Sequence, residues 1–518
     1  MNHRLELGVL ALSLALALSI GAMGGCGDDD GASSSGEGES TDPGTGPRRT
    51  TTPPGADGPV VTEESEIDRL FPLYGAVTGT RIRIFSEASE EAPVVGWLRT
   101  GAKIRLSGDT QRGPECRAGY AQVWPTGWVC TAEGIESREA DVDIETPTLE
   151  GWKEDQTEEA ASRGALVLPP GPRDQPLPYD YYFVKETTVP EYHRLPSRNE
   201  QRAALAFAAH YEELLGFNER RAAAYLGGET GNGPTGTAIA ARYLDRGFMI
   251  AGSGVELRAS RRFVRTTGGR FIKQSQLEER NGSDFHGVEL GEEVQLPVAW
   301  ALRTGRPWRQ READDGTVSF HEDSDAEPIE RQTFLDGWTG QRNMGGQVMH
   351  DIGGDRYLRA WFATVAERID RPDEVGADEP WVHIDLSAQT LVLYQGDEAL
   401  FATLISSGIE DNETPIGIFE IQNKHITTTM ANIGPDADSD RYRIEDVPWT
   451  QYFDGSIALH AAFWHTRFGM PRSHGCINMA PADAHRVFGA TWPEVPESWH
   501  GISTDQTPFR GSHVVVTE

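Results

Sequence analysis

From residue 74 onward the chain is written in short runs rich in β-branched and aromatic residues, each closed by turn formers, and this texture leaves few folds open. TRIRIF, APVVGWL, AKIRLSG, GYAQVW and TGWVCT follow one another at intervals of roughly ten residues, the spacing of a small barrel or sandwich. Helical periodicity of any length appears in NEQRAALAFAAHYEELLGF, through Ala204, Leu205, Ala208, Tyr211, Leu214 and Leu215. At 518 residues, and about 100 to 200 residues per folded unit, the expected architecture is multidomain and mostly β.

The texture also marks boundaries. Residues 73–135 form the first β-rich unit, and residues 136–178 are acidic and Pro-rich, hence a linker. Residues 179–370 mix strand-like segments with the helical stretch and are expected to be an α+β region. Its histidines, His193, His210, His286, His321 and His350, lack metal-ligand spacing. Residues 380–518 are again β-rich, with a hairpin turn at Gly396 and Asp397. Pro481 is expected in the first turn of a short helix that buries Ala484, Val487 and Phe488, and HVVVTE closes the chain as a strand.

The opening residues bear on the compartment. Arg4 precedes an uncharged, mostly apolar run over residues 7–23 that ends in Gly24, Gly25 and Cys26, the layout of a secretory signal. It resembles a bacterial lipoprotein signal, which implies that residues 1–26 end at a lipidated Cys26. An uncleaved membrane anchor is the alternative. Residues 27–65 hold 18 Gly, Ser or Pro and almost no large apolar side chains, so residues 27–72 read as a disordered tether. The expected location is exported and lipid-anchored in the cell envelope, at the periplasmic face of an outer membrane. A net charge of -33, from 47 Lys and Arg against 80 Asp and Glu, excludes nucleic acid as an expected partner. With Cys26 lipidated, Cys116 and Cys130 are the natural disulfide pair of an oxidising compartment, and Cys476 is left odd. An odd exported cysteine is either a reactive thiol or a buried structural one.

PVVGWLRTGAKIRL and GYAQVWPTGWV resemble a bacterial SH3-like domain, which implies a small barrel that binds wall material or acts as a spacer. YDYYFVKETTVPEYHRLPS resembles the start of a second such module, so the middle region is expected to contain SH3-like pieces around a helical insertion.

SHGCINM, residues 473–479, carries the chemistry. A nucleophilic cysteine must be a thiolate, needs a histidine to take its proton, and needs backbone N–H groups aimed at the oxyanion that forms on attack. Gly475 permits a tight turn and close approach of substrate. The 12 residues between His460 and Ser473 leave room for a hairpin-like return that brings His460 alongside. Mechanism alone does not choose between His460 and His474 as the base.

HIDLSAQTLVLYQGD, SSG (residues 406–408), TPIGIF (residues 414–419) and ALHAAFWHTRFGMPRSHGCINM stand in the order of the L,D-transpeptidase catalytic domain of the YkuD type, and resemble it closely. The resemblance implies a β-rich catalytic domain with Cys476 as nucleophile and His460 as general base. It further implies His474 in support, Gly475 and Cys476 as oxyanion donors, Ser473 and Asn478 shaping the loop and substrate site, and Tyr442 near the oxyanion. No cofactor or metal is implied; His460, His465, His474, Cys476 and His485 lack zinc-ligand spacing. The implied partner is the peptidoglycan stem peptide, and the implied reaction forms 3,3 cross-links through a cysteine thioester. Carboxypeptidase action, attachment of protein to the wall, or a non-catalytic wall-binding lipoprotein are the alternatives.

Overall fold

The computed structural model describes residues 64–139 and 171–518, apart from residues 114, 133, 218–221, 223–237, 317, 345 and 434–440. The signal with Cys26, the tether up to residue 63 and linker residues 140–170 lie outside the described residues. Among those described, no helix is long and apolar enough to cross a membrane.

The fold is mostly β. At its centre a six-stranded sheet runs, in spatial order, Val288–Glu289, Glu398–Leu404, Thr390–Gln395, Pro380–Asp385, His513–Thr517 and Gly417–Glu420. Strand residues alternate between faces, and here both faces are buried. Val382, Ile384, Leu391, Leu393, Phe401, Val514 and Val516 enter one core, shared with Ile426, Leu459 and Ile477 of a second sheet. Trp381, Val392, Tyr394, Ala402, Leu404 and Val515 enter another, against Val298, Trp300 and Ala366. Burial on both faces explains why TLVLY and HVVV read as unbroken apolar runs rather than alternating ones.

The second sheet contains Asn423–Asn432, Tyr442–Asp454 and Ile457–Ala461 in antiparallel succession, then Ile477–Met479 in parallel. Gly501–Ser503 pairs with Asn423–Asn432 on one side and with Val94–Arg99 of the amino-terminal unit on the other. Gly96 permits that junction, since a Cβ there would lie 2.4 Å from the Trp499 ring. The amino-terminal unit, from Leu73–Val77 to Ile135–Arg138, contains seven strands, and a disulfide joins Cys116 to Cys130 across a Cα separation of 5.7 Å.

The middle region is two units rather than one. Residues 180–279 carry strands around the helix Arg198–Phe217, whose Ala204, Phe207 and Ala208 are buried while Leu205 is exposed. Residues 298–366 form a separate unit: Val298–Ala301 pairs with Ala363–Ala366 and carries a five-stranded antiparallel sheet. This unit covers the outer face of the central sheet.

One buried carboxylate ties three units together. Asp446 accepts both guanidinium nitrogens of Arg99, at 2.6 and 3.3 Å, and the hydroxyls of Thr267, at 2.5 Å, and Thr427, at 2.8 Å. The Tyr181 hydroxyl donates to the Asp446 carbonyl at 2.8 Å. Burial alone would push the Asp446 carboxyl up; the Arg99 charge and these hydrogen bonds outweigh it and hold it at about 2.

Candidate active site

The register of one parallel pair builds the site. Leu459 lies opposite Ile477, His460 opposite Asn478 and Ala461 opposite Met479. Leu459, Ala461, Ile477 and Met479 all enter the main core. By alternation, Ala458, His460, Cys476 and Asn478 share the other face, where Cys476 packs with Ala458, Met430 and Val447 and against Tyr442, Tyr452 and Trp464. Cys476, one residue ahead of its strand, and His460 meet on this face through Trp464, which packs against the cysteine's cluster and lies 5.6 Å from the His460 ring.

The strands are parallel, so the expected hairpin-like return is corrected. Residues 462–476 make a crossover instead, a length that suits the dozen or more residues such a connection needs. The turn before Cys476 is held by serine and glycine. Ser473 Oγ accepts the Gly475 N–H at 3.1 Å and donates to the Cys476 carbonyl at 2.5 Å. Gly475 has φ +109°, and a Cβ there would lie 2.6 Å from Ile457 Cδ1. Because its N–H is given to Ser473, Gly475 is a turn residue more than an oxyanion donor.

Two motifs from elsewhere in the domain buttress this turn. Thr414 Oγ1 donates to the Gly475 carbonyl at 2.7 Å and accepts the Gly408 N–H at 3.0 Å. Ser473 N–H donates to the Ser407 carbonyl at 2.9 Å, and the Ile409 N–H to the Ser473 carbonyl at 3.0 Å. TPIG and SSG were legible as motifs; their role as supports for the cysteine turn was not.

His460 is 2 % exposed, with Nδ1 3.2 Å from the Ala461 carbonyl and its ring 5.6 Å from that of Trp464. A proton held on Nδ1 by that carbonyl leaves Nε2 with its lone pair. Burial pushes the ring down to about 4, so it is neutral at pH 7 and able to take a proton. Cys476 is 6 % exposed, its thiol 3.7 Å from the Ser456 carbonyl. His474 is exposed and stacks on Tyr442 at 5.8 Å, so these two expected residues meet beside the cysteine turn.

Asn478 points inward. It is 3 % exposed, and its carboxamide lies 3.0 Å from His465 Nε2, while the Arg467 N–H donates to His465 Nδ1 at 3.2 Å. The His465 ring thus lies between the Arg467 N–H at Nδ1 and the Asn478 Nδ2 at Nε2. This makes Asn478 a brace of the cysteine strand, with His465, which the sequence offered only within a set that lacks zinc-ligand spacing, as its partner. His485 lies apart on the helix Pro481–Ala490, with Nε2 2.8 Å from the Arg173 carbonyl. Among the described residues no group of three or more His, Cys, Asp or Glu side chains could hold a metal ion.

No curated protein matches the sequence. Among solved structures, the chain is similar to an Enterococcus faecium L,D-transpeptidase, with 23% identity, 27% of this chain and 50% of that one covered, and a TM-score of 0.22. It is also similar to an L,D-transpeptidase from Mycobacterium smegmatis, with 19% identity, 41% and 77% covered, and a TM-score of 0.23. One from Mycobacterium tuberculosis H37Rv gives 17% identity, 41% and 76% covered, and a TM-score of 0.21. The chain spans about half the length of the Enterococcus faecium protein it matches. Residues 379–495, which hold four of the six strands of the central sheet together with His460, His474 and Cys476, match the model of the YkuD family, the L,D-transpeptidase catalytic domain.

Proposed function

We propose that this protein is a peptidoglycan L,D-transpeptidase that works through a thioester on Cys476. The observation that carries this reading is the shared face of the parallel pair, on which a buried neutral His460 and the thiol of Cys476 meet through Trp464, behind a turn fixed by Ser473 and Thr414.

His460 takes the thiol proton, and the thiolate attacks the carbonyl carbon of the third, L-centred residue of a tetrapeptide stem. The C–N bond breaks, the terminal D-alanine leaves with the proton from His460, and the acyl group stays on sulfur. The side-chain amine of a second stem then attacks the thioester and gives its proton to His460. The C–S bond breaks and a 3,3 cross-link forms. Two thioester steps replace one difficult amide exchange. In the tetrahedral intermediate the oxyanion falls chiefly to the Cys476 N–H, with Tyr442 as the side-chain donor and His474 stacked behind it.

The rest of the chain serves delivery. Lipid on Cys26 holds the protein at the periplasmic face of an outer membrane, the tether gives reach up to residue 63 rather than 72, since Glu64–Leu70 is a helix and Phe71 is buried, and the SH3-like unit of residues 73–135 meets wall material.

Incubation of the full chain with disaccharide tetrapeptide, followed by mass analysis of the products, tests the reaction. A 3,3-linked dimer supports transpeptidation. Tripeptide without dimer replaces it with carboxypeptidase action, and unchanged substrate favours a wall-binding lipoprotein.

A further inference from the structure

Residues 462–472 join His460 to the cysteine turn, and they are gripped from outside the domain. Arg331, in the unit of residues 298–366, donates from Nη2 to the Phe468 carbonyl at 2.6 Å and from Nη1 to the Thr466 carbonyl at 3.3 Å. Its Nε donates to the Leu302 carbonyl of its own unit at 3.1 Å, which fixes the plane of the fork. Gln332 Nε2 adds a bond to the Phe468 carbonyl at 3.4 Å. Leu302 also limits Gly469, where a Cβ would meet Leu302 Cδ2 at 2.5 Å.

What is gripped leads to the thiol. The carbonyls that Arg331 holds flank His465 by one and three residues, His465 meets Asn478, and Asn478 lies two residues beyond Cys476 on the cysteine strand. The Phe468 ring packs on that of His465 at 4.9 Å. A planar guanidinium bonded to two carbonyls of one loop sets its orientation as well as its position, which a lysine's single ammonium does less well.

We propose that Arg331 is a positioning residue for the candidate active site: through the Thr466 and Phe468 carbonyls it holds the crossover loop so that Cys476 keeps its place beside His460. The catalytic domain therefore depends on the unit of residues 298–366 for the reactivity of its thiol. This deepens the proposed function and rests on it, since it takes Cys476 as the nucleophile.

The test is the pH profile of Cys476 alkylation by iodoacetamide in the full chain, read by intact mass, beside the melting temperature. The titratable groups around the thiol are His460 on its strand pair, His474 in the turn, and Tyr442 and Tyr452 on the strand Tyr442–Asp454. Arg331→Gln is expected to move the alkylation midpoint away from the wild-type value, because the thiol no longer keeps its place beside His460 and the Ser456 carbonyl. Arg331→Lys is expected to fall between wild type and Arg331→Gln. Arg309→Gln, which breaks an exposed ion pair to Asp323 in the same unit, is expected to change nothing. If Arg331→Gln does not fold, Arg331→Lys decides by the same shift. An unmoved midpoint with a lowered melting temperature would show a merely structural arginine and overturn the proposal. Alkylation needs no stem peptide, so a shifted midpoint in a protein that never acylates would sink the transpeptidase reading and leave this one standing.

Discussion

His460 and Gly475 show how much single positions decide. A histidine held neutral by burial, at about 4, accepts a proton across the whole physiological range. The acid limb of the acylation rate is therefore expected near pH 4; a limb near the ordinary 6.5 would show a solvated ring. His460→Gln is expected to slow acylation by about a hundred- to ten-thousandfold, measured as adduct formation under single-turnover conditions. Gly475→Ala adds a methyl at φ +109° and 2.6 Å from Ile457, and a side chain in that region costs about 1 kcal/mol or more. The cysteine turn is expected to shift and acylation to fall while the melting temperature changes by a few degrees; unchanged acylation would show that the turn tolerates a Cβ.

Among the elements, the helix Pro481–Ala490, the hairpin turn at Gly396 and the closing strand His513–Thr517 follow from local signals: Pro in the first turn, Gly-Asp between apolar runs, three valines in a row. The parallel pairing of the histidine and cysteine strands did not, because spacing alone fits a hairpin and a crossover equally, and only the partners of residues 462–476 separate them. The division of the middle region was also hidden, since the unit of residues 298–366 is defined by what it covers. Trp300 is fully buried in the core it shares with Trp381 and Tyr394. Trp300→Ala is expected to cost about 3–5 kcal/mol in urea unfolding; a cost under about 1 kcal/mol would mean the two units are not packed as one core.

Taken whole, the molecule is held by charge as well as by apolar surface. Asp446→Ala strands the buried Arg99 guanidinium, a loss of about 3–5 kcal/mol, readable by denaturant unfolding. Acid acts on several buried groups at once. His460 at about 4, His465 at about 3 and His500 at about 3 lie below the unfolded value of 6.5. Each contributes stability that is present above about pH 6.5 and lost as pH falls toward its folded value. Asp446, at about 2 against 3.8 unfolded, adds a loss below about pH 4. Asp483, raised by burial to about 6, acts the other way and withdraws stability as pH rises through that value. The expected profile falls from pH 6.5 to 3; a flat one would contradict neutral buried histidines.

The proposed transpeptidase stands or falls with Cys476 as the acyl-accepting nucleophile. Intact-protein mass spectrometry of the full chain, incubated with disaccharide tetrapeptide and separately with a carbapenem, measures this directly beside Cys476→Ala. A covalent adduct with each compound, absent from Cys476→Ala, is the predicted result. A folded wild-type protein that forms no adduct with either compound, or an adduct that survives Cys476→Ala, would contradict it.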